Sequence, residues 1–300
     1  MIIIFALLAV VGAPALSHQA EVSAAVRAAV QRHGSHSGPE FEKELEALEK
    51  AGDRTAAVML GELLMMPDRP GGPDPSRSCD HMEKGGQHPE GLHNLATCYF
   101  TGNGRAVDQA KARDLYRQAA DQGYAKSACA YGNMLIRGAG GPQEIAHGLE
   151  LCRRAADAGT ADAQTDYGGY LLTNQYTTKN AVEARRYLSL AAEKQQHNAE
   201  FLLGQIYWNG DGVEKDIPQA AIWWIKAYDG GRRDAAFLTG NAAMRMVADG
   251  AIAKREAPTV AVEQARKWLA IAAKEDPDPG RRAKASELLS LLEQLLSSKQ

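Results

Sequence analysis

A glycine recurs every 36 residues in the middle of this 300-residue chain, at Gly132, Gly168, Gly204 and Gly240. The residues around it recur in the same register, so the sequence from Pro89 onward consists of successive copies of one block. A period of roughly 20–50 residues is typical of a solenoid, in which each unit buries its apolar face only against its neighbours. The sequence therefore predicts a repeat array, whose function lies on a surface shared by several repeats.

Each block contains two segments with apolar residues at helical spacing, which predicts a pair of helices. In the block that begins at His197, the first segment carries Leu203 and Ile206 and the second carries Trp224. A glycine-rich corner, Gly210–Gly212, lies between the two segments. The first helix is expected to end there, because glycine adopts the positive φ that ends a helix. In three blocks an acidic or amide residue then begins the second helix and is expected to cap it: Asp108, Asn180 and Asp216.

Small residues recur in the middle of the first helix. A glycine inside a helix costs about 1 kcal/mol relative to alanine, so its return at one position needs a packing reason. The second helix also carries a small residue at a fixed place, Gly148 in one block and Ala220 in another. We therefore expect the two helix backbones of each block to approach closely.

The block His197–Arg232 resembles the Sel-one-like repeat, a helical repeat of the tetratricopeptide type. The resemblance is carried by these residues: Ala199, Leu203, Gly204, Tyr207, Gly210, Gly212, Val213, Asp216, Ala220, Trp224, Lys226, Ala227 and Gly231. It implies an all-α fold, a right-handed α-solenoid of helix-turn-helix repeats forming a superhelix. It also implies a scaffold for protein–protein interactions.

The repeat register predicts the organisation of the whole chain. A signal peptide (1–17) and an N-terminal helical cap (18–51) precede a degenerate repeat (52–88). Four repeats follow at 89–124, 125–160, 161–196 and 197–232. A divergent repeat (233–276) has an insertion at Met244–Val262, and a capping helix (277–300) ends the chain, with Leu288, Leu289, Leu292, Leu295 and Leu296 on its apolar side.

The apolar start of the chain predicts export. Met1–Leu16 ends at a small-x-small site, Ala15-Leu16-Ser17, of the kind that signal peptidase accepts. This stretch is shorter than the roughly 20 apolar residues that span a bilayer, which favours a cleaved signal over the alternative of an uncleaved anchor. We expect a periplasmic or secreted protein with a mature N-terminus close to His18 and no stable membrane span.

Four cysteines in an exported chain predict two disulfide bonds, for which three connectivities exist. Positions early in the first helix and late in the second lie side by side in antiparallel helices, which favours Cys129–Cys152. The same register favours Cys79–Cys98, between the degenerate repeat and the next. The alternative is four buried thiols in a reducing compartment. No C-x-x-C motif supports a redox or structural zinc site.

Composition and motifs favour a binding protein over an enzyme. A net charge of −3 offers no basic field for nucleic acid, and no phosphate-binding or hydrolase motif is present. His33 and His36 lie in a Gly/Ser linker that is typical of solvated histidines, and Asp80-His81 has no accompanying nucleophile. We expect no Ser/His pair, catalytic residue, metal or cofactor. The alternative from relatives is a secreted, cysteine-rich hydrolase of cell-wall-like or β-lactam compounds; another is a binder of a peptidoglycan fragment.

The resemblance implies that the first helices line a concave face, where equivalent positions form rows. One row is polar and includes Thr97, Asn133, Gln205 and Asn241; a second is apolar and includes Phe100, Ile136, Leu172, Trp208 and Met244. Such rows suit an extended peptide, whose backbone the amides bind and whose side chains the apolar row covers. The candidate binding residues are His93, Asn133, Phe201, Gln205, Trp208 and Asn241. The alternative is that the apolar row packs within the array, and the sequence favours neither.

Overall fold

The computed structural model describes residues 23–33, 38–69, 71–252 and 259–297. Within these ranges the chain forms fifteen α-helices and no strands. The first seven are α1 (Ala24–His33), α2 (Pro39–Lys50), α3 (Arg54–Leu63), α4 (Pro75–Lys84), α5 (Pro89–Thr101), α6 (Gln109–Asp121) and α7 (Ala125–Arg137). The others are α8 (Ile145–Asp157), α9 (Ala161–Leu171), α10 (Ala181–Glu193), α11 (His197–Asn209), α12 (Ile217–Asp229), α13 (Ala235–Ile252), α14 (Thr259–Glu275) and α15 (Pro279–Ser297).

The helices are grouped into two compact units, Met1–Ala163 and Gln164–Gln300. In the first unit, the apolar residues of α1 and α2 pack on α3, where Val26, Phe41 and Leu45 are buried against Leu60. A second core of this unit lies between α4, α5, α6 and α7. In the second unit, successive cores follow the helix pairs, with Trp224 and Trp268 as their largest buried side chains.

The helix ends follow the chemistry that the sequence predicts. Gly102, Gly138 and Gly210 end the first helices in the left-handed conformation, with φ of 77°, 66° and 78°. The side chains of the three predicted caps accept hydrogen bonds from backbone N–H groups in the first turn of the second helix: Asp108 from Lys111, Asn180 from Glu183, and Asp216 from Gln219. Each cap satisfies a donor that the helix itself leaves without a partner.

A backbone hydrogen bond closes the corner of the four repeats between residues 89 and 232. The cap residue donates its N–H to a carbonyl near the end of the first helix, as in Asp216 to Tyr207 at 2.9 Å. Asp74 donates to Leu64 at 2.7 Å, the same closure in the degenerate repeat. The corner of the degenerate repeat therefore joins α3 and α4 as a helix pair like the others.

The recurring small residues bring helices into close contact. A Cβ added to Gly132 would lie 2.6 Å from the carbonyl oxygen of Gly148, and one added to Gly204 would lie 2.5 Å from Cδ1 of Trp224. Real Cβ atoms do not approach neighbours so closely. The predicted close approach of the two helices is confirmed at these positions.

Both disulfides link a helix pair in the first unit. Cys79 in α4 is bonded to Cys98 in α5 with an S–S distance of 2.13 Å, and Cys129 in α7 to Cys152 in α8 at 2.09 Å. These are the pairs that the repeat register favours. No free cysteine is present among the described residues, so the alternative of four thiols does not describe this structure.

The C-terminal part differs from expectation in two details. The insertion predicted at Met244–Val262 largely lengthens the helices α13 and α14. At the other end of the chain, the signal predicted at 1–17 lies outside the described residues. On α15, Leu292 is fully buried, but Leu295 is 48% exposed. Leu295 lies at the edge of the apolar stripe, about 60° around the helix from Leu292, where the packing surface ends.

Candidate functional site

A pocket of about 270 Å³ opens between α3 and α5 in the first unit. The floor is buried and apolar apart from one hydroxyl, and it includes the Cys79–Cys98 disulfide. The walls are half-buried and polar, and the rim is exposed. The floor residues are Ser78, Cys79, Met82 and Cys98; the wall residues are Glu62, Asn94 and Thr97; the rim residues are Met65, Thr101 and Asn103.

The pocket lies on the predicted binding face. Thr97 belongs to the polar row that continues at Asn133 one repeat later. Glu62 follows Gly61, which packs on Met82 of α4 as Gly132 packs on α8, so Glu62 holds the same repeat position as Thr97. Met65 holds the position of Phe100, and both side chains are more than a third exposed. The two rows therefore begin in the degenerate repeat, which sequence reasoning did not include in them.

Of the residues that the structure describes, Glu62 is the one charged side chain that lines the pocket. Asn94 Nδ2 donates to its carboxyl at 3.4 Å. Burial, followed by the charge of the nearby Glu90 carboxyl, raises the pKa of Glu62 to about 7, while the Asn94 hydrogen bond and Lys126 oppose the shift. The Glu62 carboxyl therefore stays protonated to a higher pH than that of an exposed glutamate.

His93 does not face this pocket as a free imidazole. Its Nδ1 lies 2.9 Å from Ser127 Oγ, and its ring packs 5.3 Å from Tyr116 and 5.4 Å from Tyr124. This is a Ser/His pair, which the sequence analysis did not expect. Burial, with a contribution from Lys126, lowers the pKa of His93 to about 4, and Ser127 is fully buried. A weakly basic imidazole beside an inaccessible hydroxyl stabilises the core and is unsuited to attack a substrate.

A second histidine, His81, pairs with Glu49 and also lacks the groups of a hydrolase. His81 Nδ1 lies 2.6 Å from Glu49 Oε1, beside a charged pocket of about 310 Å³. Ser78, one turn before His81, donates its hydroxyl to the Gly61 carbonyl at 2.7 Å, so that hydroxyl holds two helices together. Among the described residues, no group of three or more acidic, histidine or cysteine side chains could hold a metal ion.

The remaining candidates in the first and second units differ in exposure. Asn133 is half-buried, and its Oδ1 lies 3.6 Å from Cys152 Sγ. Gln205, Trp208 and Asn241 are also half-buried and keep part of their surface in solvent. Phe201 is only 8% exposed and lies under the Arg232 guanidinium, 4.2 Å from the ring centroid. Phe201 was expected on the binding face, but it is a core residue, because Arg232 and the Ala220–Ala227 side of α12 cover it.

Trp208 is more exposed than Phe201. Its ring packs 5.7 Å from Trp224, and the Lys215 ammonium lies 5.4 Å from its centroid. Lys215 lies in the corner between α11 and α12, and its side chain therefore reaches the Trp208 indole. Ile222, 47% exposed on the second helix of the same repeat, is a residue outside the predicted face.

The comparisons with known proteins agree with this architecture. The Sel1 repeat family matches residues 89–124, 125–160, 161–195, 197–231 and 260–277, more than half of the chain. The chain belongs to the Sel1 repeat family. No curated protein matches it.

Two solved structures share the fold. The Sel1 repeat protein from Oxalobacter formigenes has 20% sequence identity and a TM-score of 0.67, with 86% of this chain and 100% of that chain covered. The protective antigen c5321 of uropathogenic Escherichia coli, which displays an SLR fold, has 20% identity and a TM-score of 0.61. That match covers 91% of this chain and 60% of the antigen. Identities of this size show the common helical-repeat fold alone.

Proposed function

We propose that this protein is an exported scaffold that holds an extended segment of a partner protein against its first helices. The pocket between α3 and α5 is the observation that carries the proposal. The pocket combines a buried apolar floor, polar walls and an accessible rim, and it lies where the polar row and the apolar row of the repeats adjoin. Concave sites of this composition are the usual places where proteins bind peptide side chains.

The two disulfides support the exported part of the proposal. Disulfides form and persist in oxidising compartments and are rare in the cytosol of most organisms. Among the described residues, no helix has the length and apolar character needed to cross a membrane. Export predicts a mature chain that begins close to His18, which mass spectrometry of the native protein measures. A soluble native protein that retains Met1 would refute cleavage.

Trp208 supports peptide binding in the second unit. Tryptophan is enriched among residues that dominate binding energy, and this indole is half-buried beside the half-buried amide of Gln205. The amide can bind a peptide backbone while the indole covers a side chain. We propose no hydrolase activity, because the histidines near serines lie beside hydroxyls that are buried or already bonded.

Site-specific photo-cross-linking tests the proposal. A benzophenone side chain replaces Phe100, on the first helices, and in a separate variant Ile222, on the second helices. The proteins are irradiated with extract from their own compartment, and the cross-linked segment is identified and synthesised. We expect one partner segment to cross-link at position 100 and not at 222.

The affinity of the synthetic segment then provides the quantitative test. Trp208→Ala is expected to weaken binding of a segment that reaches the second unit by about 2 kcal/mol, roughly 30-fold. Ile222→Ala removes an exposed apolar side chain of similar character and should leave the affinity unchanged. Cross-linking from position 222 alone, or equal effects of the two variants, would place binding on the other face.

A further inference from the structure

We infer that the pocket between α3 and α5 receives a basic side chain of the partner protein, with its aliphatic stem on the apolar floor and its cationic end at Glu62. This inference rests on the proposed function and specifies the chemistry of its anchoring site. The described residues contribute three separate features: an open-mouthed volume large enough for one side chain, an apolar lower surface, and a single carboxyl without a cation of its own.

The apolar floor suits the stem of a lysine or arginine. Met82 and the Cys79–Cys98 disulfide lie at the bottom, and Met65 forms an exposed lip. Methionine and sulfur surfaces are polarisable and adapt to unbranched chains. Long basic side chains bury their methylene groups along such surfaces while the charged end stays at a polar group. A floor of this kind offers nothing to a small inorganic cation.

The charges around the pocket select a cation. Among the described residues, Glu62 lines the pocket and no lysine, arginine or histidine does. Glu90 of helix α5 lies close enough to raise the pKa of Glu62 through its charge and through a side-chain hydrogen bond, and Lys126 acts on Glu62 only through the longer-range field. In the part of the chain that the structure describes, Glu62 takes part in no ion pair. The neighbouring Glu90 carboxyl already has a partner, because it accepts a hydrogen bond from Tyr124 at 3.1 Å.

The wall offers further acceptors for the bound cation. The side-chain oxygens of Asn94 and Asn103 lie at the wall and rim, and each amide can turn its oxygen towards a donor. An ammonium has three donors and a guanidinium has five, so one carboxylate with amide oxygens beside it can satisfy either group. An anionic guest would face Glu62 and Glu90 with no compensating charge in the pocket.

Methyl NMR of the full chain tests the inference directly. Methionine methyl groups are labelled with ¹³C, so Met65 and Met82 report from the lip and the floor, and Met246 in the second unit serves as a distant control. The probes are the Nα-acetyl N-methylamides of lysine, arginine and norleucine. Norleucine has the same straight aliphatic stem as lysine and lacks the ammonium. We expect the lysine or arginine probe to shift Met65 and Met82 saturably, and norleucine to bind at least tenfold more weakly.

Variants identify the charge that selects the probe. Glu62→Gln keeps the shape of the side chain and should weaken the basic probe at least tenfold at about pH 8, where the carboxyl is ionised. Glu40→Gln removes an equal charge from an exposed position outside the pocket and should change nothing. Equal binding of norleucine and lysine by the unaltered protein overturns the inference, and so does the absence of any probe-dependent shift. Cross-linking at position 100 reports on the scaffold function separately, so the two failures are distinguishable.

Discussion

Replacing Glu62 by glutamine should stabilise the first unit at high pH. The pKa of Glu62 is raised from 4.5 to about 7, so the folded unit favours the neutral carboxyl. A raised carboxyl pKa has no effect on stability below the unfolded value. Stability falls as the pH rises from about 4.5 to about 7, because the unfolded chain then binds fewer protons than the folded chain. Glutamine stays neutral and avoids this loss.

The size of the effect follows from the same shift. A tenfold change in an ionisation constant corresponds to about 1.4 kcal/mol, so the full shift is worth about 3 kcal/mol. Glu62 keeps some contact with water, which screens its interactions, and we expect about 1–2 kcal/mol. The gain for Glu62→Gln should therefore be about 1–2 kcal/mol larger at about pH 8 than at about pH 5.

Urea titrations followed by the methyl signals of Met65 and Met82 measure this gain in the first unit. Glu40→Gln, in which an exposed glutamate of α2 is replaced, is the matched control and should show no pH-dependent gain. A loss of stability for Glu62→Gln at about pH 8 would mean that the folded protein stabilises the carboxylate, which would refute the pKa argument. If Glu62→Gln stabilises the protein and also binds basic probes poorly, the pocket retains the Glu62 charge at the expense of stability.

Three further predictions concern packing, cross-links and caps. Gly204→Ala should destabilise the second unit by about 1–3 kcal/mol because its Cβ would collide with Trp224. Gly169→Ala, whose Cβ would meet only a side-chain atom at 3.7 Å, should stabilise the second unit by up to about 1 kcal/mol. Urea denaturation followed by tryptophan fluorescence compares the two variants, and equal effects would contradict the close contact between Gly204 and Trp224. Cys152→Ser should lower the free energy of unfolding by about 3 kcal/mol, because it opens a loop of 23 residues. Urea denaturation of the first unit under oxidising and reducing conditions measures this loss, and a variant no less stable than the oxidised parent would contradict the prediction. Asp216→Ala should cost about 1 kcal/mol through loss of the cap, seen as a lower urea midpoint of the second unit, and an unchanged midpoint would show that the cap does not contribute.

Much of the fold is readable in the sequence because one local solution is repeated. The corner glycines, the cap residues and the small residues at the helix contact each satisfy a local requirement, and their recurrence makes the register unambiguous. The register is also what places Cys129 beside Cys152. It could not give the exposure of a side chain, which depends on neighbours that are distant in the sequence. Phe201 was expected to be open, but the guanidinium of Arg232, the last residue of the same repeat, covers it.

The candidate pocket was missed because the degenerate repeat hides its register. Its corner from Leu64 to Asp74 is one residue longer than the corner from Tyr99 to Asp108, although the same backbone hydrogen bond closes both. The segment from Asp74 to Ala96 is two residues shorter than the equivalent segment from Asp108 to Gly132, so Gly61 and Ala96 are 35 residues apart. A search at a strict 36-residue period misaligns Glu62 with Cys98, whereas the equivalence of Gly61 and Ala96 aligns Glu62 with Thr97.

The same departure from the repeat explains why the pocket has its chemistry here. Three later repeats carry an amide at the position of Glu62, in Asn133, Gln205 and Asn241. At the position of Met65, Ile136 is buried, whereas Phe100 is as exposed as Met65. The carboxyl of Glu62 is therefore what makes this junction negatively charged. Because a charged group half-removed from water lowers stability, its place in the wall is better explained by a cationic guest than by folding. The binding experiment and the stability experiment on Glu62 should therefore give opposite signs for the same substitution.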